Sequence, residues 1–186
     1  LLSAYPDTTH VYLASGACLP LRPVAELRAF LGRYPDADFI ESVNVSDVGW
    51  TVGGLNEERF TLRFPFAYRR HRRLFDRYVD FQRRWKIRRK IPEGLVPHLG
   101  SQWWCLRRQT IEKVLAFCDE RPDVVRFFQT TWIPDETFFQ TIVPHVVPRR
   151  EIRARTLTFL MFTDYGMPVT FYNDHYDLLL GQDYLF

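Results

Sequence analysis

The stretch HLGSQWWCLRRQTIEKVLAFCDE, residues 98–120, decides the fold class, because an apolar strand pattern passes directly into a helical one. The run Trp103–Leu106 predicts a strand over His98–Leu106. The next apolar residues recur at helical spacing and predict an amphipathic helix over Gln109–Glu120. Its inward face is predicted to comprise Ile111, Val114, Leu115 and Cys118. A strand followed at once by a helix is the repeating unit of α/β domains.

The same alternation extends outward on both sides of this stretch. Further strands are predicted at Thr9–Ala14, Asp38–Val45 and Arg155–Phe162. Further helices are predicted from Pro23 to Leu31, with Gly32 ending the first, from Ile133 to about Val143, and over Tyr176–Leu180. A polar, glycine-rich loop is expected from Ser46 to Asn56. Since no segment repeats, we expect one α/β domain.

The composition excludes several classes of protein. The chain has 186 residues, of which 46% are hydrophobic and 16% aromatic, as is typical of a globular domain and not of a collagen or a disordered tail. Three cysteines without CxxC spacing favour neither a disulfide framework nor a zinc ribbon, and they indicate a reducing compartment. The apolar runs are far shorter than the ~20 residues of a membrane span. Residues 1–7 do not have the pattern of a signal peptide.

The charge is unevenly distributed along the chain. Residues 63–90 contain 12 Lys and Arg against two Asp, and the remaining residues contain 13 basic and 20 acidic ones. The net charge of +3 therefore conceals a local charge of +10 and a remainder of −7. Within this segment Leu74, Tyr78, Phe81 and Trp85 recur at spacings of four, three and four, and arginines occupy the other faces. This pattern predicts a helix within residues 67–90, which Ile91–Gly94 ends.

Three interpretations of this basic segment stay open. Its arginines can form a solvated face whose charged groups pair with the acidic remainder. They can instead dock the chain on an anionic membrane or a partner through Arg69–Lys90, or bind nucleic acid. No helix-turn-helix, zinc-finger or RNA-recognition signature accompanies them, so nucleic acid is the least favoured of the three. The arginines concerned are Arg69, Arg70, Arg72, Arg73, Arg83, Arg84, Arg88 and Arg89.

The carboxylates Asp135 and Glu136 allow a structural and a functional interpretation. Both follow Pro134 at a predicted helix start, where acidic side chains complement the helix dipole. The same position suits a carboxylate at the mouth of a pocket, which would act there as a general base.

The paired indoles of Trp103 and Trp104 also have two interpretations. If they lie in a strand, they face opposite sides of it, so at most one of them lines a given pocket. Core packing is one explanation. The alternative is a platform for a sugar ring, with hydrogen bonds supplied by Ser101 and Gln102.

Several common chemistries have no support in the sequence. The five histidines are scattered without HExxH or another metal-binding spacing. Residues 173–177 (NDHYD) could bind a cation, but their composition favours a helix cap. The absence of GxSxG, GxGxxG and P-loop motifs gives no basis for serine hydrolysis, dinucleotide binding or P-loop NTP hydrolysis.

Four segments, taken in order, resemble a known family. The first is the strand and turn from Tyr12 to Leu21, and the second is Gly100–Trp103, which a helix over Arg108–Phe117 follows. The third is Pro134–Phe139, and the fourth is Asp177–Leu180, which leads to Leu185-Phe186. They are similar to the branching glycosyltransferases, which comprise the core-2/I-branching β-1,6-N-acetylglucosaminyltransferases and the peptide O-xylosyltransferases. The forms Trp-Trp-Cys-Leu and Pro-Asp-Glu-x-Phe-Phe resemble those of bacterial members.

The resemblance implies an α/β, GT-A-like nucleotide-sugar transferase fold, with a mixed sheet flanked by helices. Residues 1–186 would then form a single catalytic domain that lacks its N-terminal nucleotide-binding strand or strands and a short C-terminal piece. The implied reaction moves N-acetylglucosamine or xylose, with inversion, from a UDP-sugar to a hydroxyl of a glycan or peptide. Without an anchor and with few cysteines, a cytoplasmic enzyme is expected, peripheral on the inner membrane face if the basic segment docks there.

The resemblance also implies roles for individual residues. Glu136 matches the family's catalytic glutamate and would be the general base. Arg155, or its neighbour Arg153, falls where a basic side chain contacts the donor diphosphate in place of a metal. The acceptor-side residues would be Glu41, Arg59, Ser101, Gln102, Trp103, Trp104 and Asp135. Cys18 stands where the family usually has an acidic residue, so no metal ligand is evident, and no metal or other cofactor is expected.

Overall fold

The computed structural model describes residues 2–48 and 55–186, and a four-stranded mixed sheet lies at its centre. The strands are β1 (His10–Tyr12), β2 (Asp38–Ile40), β3 (Val43–Asn44), β4 (His98–Leu99), β5 (Trp104–Arg107) and β6 (Ile152–Arg153). The main sheet has the order β1-β5-β2-β6, and β3 and β4 form a separate two-stranded ladder.

Helices surround this sheet. They are α1 (Val24–Arg33), α2 (Glu58–Thr61), α3 (Arg72–Arg84), α4 (Arg108–Glu120), α5 (Pro122–Phe128), α6 (Phe138–Val146) and α7 (Tyr176–Leu180). Short 3₁₀ turns occur at Val45–Asp47, Pro134–Glu136, Arg149–Glu151 and Asn173–His175. The expected α/β class, a mixed sheet flanked by helices, is confirmed.

The strand directions place four chain segments at one edge of the sheet. The central strand β5 runs antiparallel to both β1 and β2, and β6 runs parallel to β2 with Phe39 opposite Arg153. The carboxyl ends of β1, β2 and β6 therefore lie beside the amino end of β5, and we call this side of the sheet the carboxyl edge. In open α/β sheets, ligands bind outside the carboxyl ends of the strands.

The hydrophobic core lies on both faces of the sheet, because strand residues alternate in direction. Trp104 and Leu106 of β5 belong to a large cluster with residues of α4, α5 and α6. Cys105, which lies between them, belongs with Phe39 to a smaller cluster that α1 helps to cover. The predicted strand and helix of residues 98–120 thus occupy the middle of the domain.

Two predicted strands are divided in the structure. Asp38–Val45 becomes β2 and β3, and His98–Leu106 becomes β4 and β5, so residues 41–42 and 100–103 lie between strands. The break in the second strand occurs at Gly100, where a Cβ atom would overlap the backbone carbonyl of Glu41. The chain can approach that carbonyl only because residue 100 has no side chain.

The prediction of a strand over Arg155–Phe162 is wrong. The edge strand is Ile152–Arg153, and the following segment is irregular except for an isolated bridge at Phe162. Its apolar pattern reflects burial of Leu157, whose carbonyl accepts hydrogen bonds from the amides of Leu185 and Phe186 at 3.0 and 3.2 Å. The segment is held by the end of the chain and not by a ladder with the sheet.

The predicted helices are present with different bounds: α1 continues through Gly32 to Arg33, so Gly32 does not end it, and α6 runs from Phe138 to Val146. The basic helix α3 spans 72–84 within the predicted 67–90, and Leu115, predicted to face inward on α4, is 54% exposed. Residues 49–54 of the predicted loop Ser46–Asn56 lie outside the described residues.

Helix α6 contains a proline, and the group that it leaves unpaired is satisfied by a side chain. Pro144 has no N–H to donate to the carbonyl of Gln140, four residues earlier. The hydroxyl of Ser42 donates to that carbonyl at 2.7 Å instead. This bond joins α6 to the segment that follows β2, at the carboxyl edge.

We expect Ser42→Ala to lower the free energy of unfolding by about 1–3 kcal/mol, because it leaves the Gln140 carbonyl without a donor in a buried position. Urea unfolding of both proteins measures the difference. Ser46→Ala is the control, since among the described residues its exposed hydroxyl bonds only to Asn44 and Asp47, and we expect a change within about 0.5 kcal/mol. Equal losses in the two variants would contradict the role given to Ser42.

Candidate active site at the carboxyl edge

Three chain segments meet at the carboxyl edge through hydrogen bonds from backbone amides. The amide of Gly100 donates to the carbonyl of Glu136 at 3.2 Å, and the amide of Ser101 donates to a carboxylate oxygen of Glu41 at 2.9 Å. Glu41 directly follows β2, and residues 100–103 directly precede β5. The structure therefore brings together predicted site residues that are far apart in the sequence.

Glu136 lies in the 3₁₀ turn Pro134–Glu136, and its backbone entry is strained. Ile133 has a φ of 51° in the left-handed region, although it is β-branched. Such strain costs on the order of 1–3 kcal/mol and is concentrated at functional sites. The turn leaves the Glu136 side chain 40% exposed, so its carboxylate is accessible from solvent.

Arg59 holds the Glu136 carboxylate. Its Nη1 donates to Glu136 Oε2 at 2.8 Å, and its Nε donates to the carbonyl of Leu55 at 3.1 Å. The Arg59 side chain is only 12% exposed. A charged hydrogen bond from a largely buried guanidinium fixes the direction of the carboxylate, because the donor itself has little freedom.

Gln140 is a site residue that the sequence reasoning missed. Its side chain is fully buried, and its Nε2 donates to the carbonyls of Ser101 and Asp135 at 2.6 and 3.2 Å. It therefore ties the segment before β5 to the turn that presents Glu136. The available signal was a polar, amide-bearing residue one helical turn after Glu136, directly behind Phe138 and Phe139.

The two adjacent tryptophans have different surroundings. Trp104 is 6% exposed and packs on Phe139 with ring centroids 4.6 Å apart, so it belongs to the core. Trp103 is half-buried, as are Ser101 and Gln102 beside it, and its amide donates to the Ser101 hydroxyl at 3.3 Å. Trp103 precedes β5 and keeps exposed surface, whereas Trp104 is the first residue of that strand and is buried.

Arg155 and Arg153 lie toward opposite ends of the sheet. Arg153 lines an open hollow of about 640 Å³ together with residues 33–37, which precede β2, so its side chain lies toward the amino end of that strand. Arg155 follows the parallel strand β6 and lies toward the carboxyl edge. Its guanidinium donates to the Asp183 carboxylate at 3.3 Å and to the Asp183 backbone carbonyl at 2.6 Å. It also lies 5.3 Å from the centroid of the Tyr184 ring.

A buried charge network closes the opposite end of the sheet. Arg107, whose side chain is 4% exposed, donates to the fully buried Asp38 at 2.8 Å and to Glu151 at 2.6 Å. Burial opposes the charge on Arg107, but the hydrogen bonds to the two carboxylates outweigh it and raise its pKa. The bond from Arg107 lowers the pKa of Glu151. Since this network joins β2, β5 and the turn before β6, it fixes the strand that leads to Arg155.

The last residue of β1 contacts the end of the chain. The Tyr12 ring stacks on Phe186 at 4.2 Å, and its hydroxyl hydrogen-bonds to Thr158. Burial raises the pKa of Tyr12 to about 12, so this hydroxyl is protonated at neutral pH. Cys18, at which the resemblance led us to expect an acidic residue, accepts a hydrogen bond from the Ser15 amide at 3.4 Å and is a free thiol.

Within residues 2–48 and 55–186, no three side chains of His, Cys, Asp or Glu converge as metal ligands. Metal independence itself stays a prediction. In the same ranges, the helices are all too short or too polar to cross a lipid bilayer.

Comparison with known proteins identifies the family of the chain. The family model for the core-2/I-branching enzyme matches residues 1–175. Xylosyltransferase 1 of Rattus norvegicus and of Homo sapiens are each 31% identical to the chain over 139 residues, which is 70% of the chain and 14% and 12% of those proteins. Xylosyltransferase 2 of Mus musculus is 31% identical over 126 residues, 67% of the chain and 13% of that protein.

The α/β fold, a mixed sheet flanked by helices, is that of the GT-A-like class of glycosyltransferases. The chain belongs to the core-2/I-branching enzyme family, as the resemblance implied. It spans about one seventh of the length of the curated relatives that it matches.

Proposed function

We propose that this chain carries the catalytic site of an inverting glycosyltransferase. The enzyme would move xylose or N-acetylglucosamine from a UDP-sugar to a hydroxyl of a glycan or peptide. Family membership and the similarity to proteins named xylosyltransferase support the reaction class. The observation that carries the mechanism is the accessible Glu136 carboxylate, which Arg59 holds at 2.8 Å.

In the proposed step, Glu136 accepts the proton of the acceptor hydroxyl as its oxygen attacks the anomeric carbon of the donor sugar. The new glycosidic bond forms while the bond between that carbon and the UDP oxygen breaks. The departing UDP takes the electron pair, and attack from the opposite face inverts the configuration. Arg59 would keep the carboxylate aimed at the hydroxyl, so little reorganisation is needed during the reaction.

We assign the acceptor contacts to the groups around Glu136. Glu41 and Asp135 supply acceptor-side carboxylates, Ser101 and Gln102 supply polar groups, and Trp103 supplies the half-buried ring on which a sugar can pack. Trp104, which was predicted to lie on the acceptor side, is not assigned an acceptor contact because it lies in the core.

Arg155 is the proposed contact of the donor diphosphate. It lies toward the same edge as Glu136, whereas Arg153 lies toward the other end of β2. A guanidinium stabilises the charge that develops on the departing phosphate through two parallel hydrogen bonds. Its present partner Asp183 is 96% exposed, so the diphosphate would replace a weakly held carboxylate.

We expect Arg155→Ala to weaken UDP binding by about 10-fold to 150-fold, the equivalent of one or more charged hydrogen bonds. Arg153→Ala is the matched control and should leave the UDP dissociation constant within about threefold, a difference below the ~1.4 kcal/mol that a tenfold change requires. Titration calorimetry with UDP measures both values. If only the Arg153 variant weakens binding, the donor assignment is wrong.

The full-length protein tests the proposed function as a whole. UDP release is measured with UDP-xylose and with UDP-N-acetylglucosamine, each with and without EDTA. Acceptor-dependent release from one donor that persists in EDTA supports the metal-independent transfer. No release from either donor would overturn the proposed activity, and complete loss in EDTA would overturn metal independence.

A further inference from the structure

Helix α3 has two apolar rows, and the structure buries only one of them. Phe75 and Val79 are each 5% exposed, and Gln82 is 1% exposed. On the adjoining side, Leu74 and Phe81 are each 48% exposed and Trp85 is 68% exposed, with the half-buried Tyr78 between them. We call Leu74, Tyr78, Phe81 and Trp85 the aromatic stripe.

The aromatic stripe is a continuous surface. Its members follow one another at spacings of four, three and four, which places them in one line along the helix. The Tyr78 and Phe81 ring centroids are 6.4 Å apart, and so are those of Phe81 and Trp85. A row of neighbouring exposed rings indicates an interaction surface, whereas isolated exposed apolar residues do not.

The charges of α3 are sorted around this stripe. Asp76 and Asp80 pair with Arg72 and Arg83 at 3.9 and 4.0 Å, and Arg83 also binds Glu58 at 2.5 Å. At 100° per residue, these paired groups lie on the side of the helix away from the stripe. Both acidic residues of the helix therefore lie on that side, each near an arginine.

A second row of arginines flanks the stripe and lacks such partners. Arg73, Arg77 and Arg84 recur at spacings of four and seven, and the helical geometry places them about 90° from the stripe. In the described ranges, no carboxylate lies within 4.0 Å of their side-chain nitrogens. An uncompensated cationic row thus runs beside an exposed aromatic row.

This combination matches the interface of an anionic lipid bilayer. Aromatic rings with a polar tip are favoured at the level of the lipid headgroups, and arginines beside them bind lipid phosphates. A solvated face explains the arginines but leaves the exposed rings unexplained. A nucleic-acid duplex offers phosphates to the arginines but no apolar surface along its backbone that would cover the stripe.

We propose that α3 docks this domain on an anionic bilayer, with the aromatic stripe in the headgroup region and Arg73, Arg77 and Arg84 on lipid phosphates. The surface includes none of the residues assigned to transfer. The inference does not depend on the proposed function, and either can fail without the other. If both hold, the transferase acts beside a membrane.

Vesicle binding by the full-length protein tests the docking. We expect sedimentation with vesicles of phosphatidylcholine and phosphatidylserine, with little sedimentation on phosphatidylcholine alone. Affinity should fall as salt is raised, because the ionic atmosphere screens exposed charges. Equal binding to both kinds of vesicle would overturn the proposal.

Two variants test the arginine row and the aromatic stripe separately. Replacing Arg73, Arg77 and Arg84 together by Gln should weaken binding by about 100-fold, since each arginine near an anionic surface contributes about fivefold. Replacing Phe81 and Trp85 by Ser should weaken it by about 10-fold or more, because two rings lose their place in the headgroup region. Unaltered thermal unfolding verifies that both variants are folded.

Matched controls come from the same chain. Arg72→Gln removes a paired arginine from the other side of α3, and Tyr165→Ser removes an aromatic ring that is 94% exposed elsewhere. Both should leave vesicle binding unchanged. If the controls weaken binding as much as the row variants, or if the protein binds duplex DNA more tightly than vesicles at physiological salt, the proposal is wrong.

Discussion

Replacement of Glu136 by Gln should reduce kcat by about 10²-fold to 10⁴-fold, the usual contribution of a positioned general base. The amide has nearly the same shape but cannot accept the proton of the acceptor hydroxyl. It touches none of the groups assigned to the diphosphate, so the UDP dissociation constant should stay close to that of the wild type. Steady-state kinetics and UDP calorimetry on the same preparation measure both quantities.

Asp135→Asn is the matched control for Glu136→Gln. Asp135 is a carboxylate in the same 3₁₀ turn, but it is assigned to the acceptor, so its loss should raise KM more than it lowers kcat. A Glu136→Gln enzyme with near-normal kcat would show that another group is the base.

Gly100→Ala should lower transfer activity by about 100-fold or more, because it displaces the segment that Glu41, Glu136 and Gln140 hold at the carboxyl edge. The added Cβ would overlap the Glu41 carbonyl and lie 2.7 Å from its carbon and 3.3 Å from the Gln140 Cγ. The backbone must move, since neither the carbonyl nor the buried glutamine has space to yield. Such overpacking also costs about 1–3 kcal/mol of stability.

Gly32→Ala provides the comparison for Gly100→Ala. Gly32 lies in helix α1, and a Cβ there would meet no atom within 4 Å. Alanine is the better helix former by about 1 kcal/mol, so the variant should keep its activity and gain slightly in stability. Urea unfolding and transfer assays on the two variants measure the contrast. Normal activity in Gly100→Ala would show that the close approach at Glu41 does not shape the site.

The sequence predicts much of the local structure because local patterns determine it. The apolar run before Gln109 and the helical spacing after it correctly predict the central strand and α4, and the Pro-Asp-Glu motif locates the turn that carries Glu136. These features are predictable because their residues recur at the spacing of a strand or a helix, or match a motif of the family.

The features that the sequence does not predict depend on contacts between distant segments. The strand break at Gly100 arises from its approach to Glu41, and the irregular course of residues 155–162 arises from contacts with the end of the chain. Neither contact leaves a periodic signal. The sequence also leaves open whether Arg153 or Arg155 contacts the donor diphosphate. The answer depends on the direction of β6 relative to β2, which is again a contact between distant segments.

The orientation of α3 is a similar case. Helical spacing reveals the aromatic stripe but not which apolar row packs inward. Gln82 occupies the buried row because its side chain bonds to both the amide and the carbonyl of Arg63 at 2.9 Å, as a backbone strand would. A polar residue thereby takes an inward position while Phe81 faces outward.

The anomeric configuration of the product tests the central claim most directly. The full-length protein is supplied with UDP-xylose or UDP-N-acetylglucosamine, both of which hold the sugar in α linkage, and with an acceptor. NMR of the anomeric proton then distinguishes the two products. Direct attack by a hydroxyl that Glu136 deprotonates predicts a β-linked product, lost in Glu136→Gln, whereas an α-linked product would contradict the single-displacement mechanism.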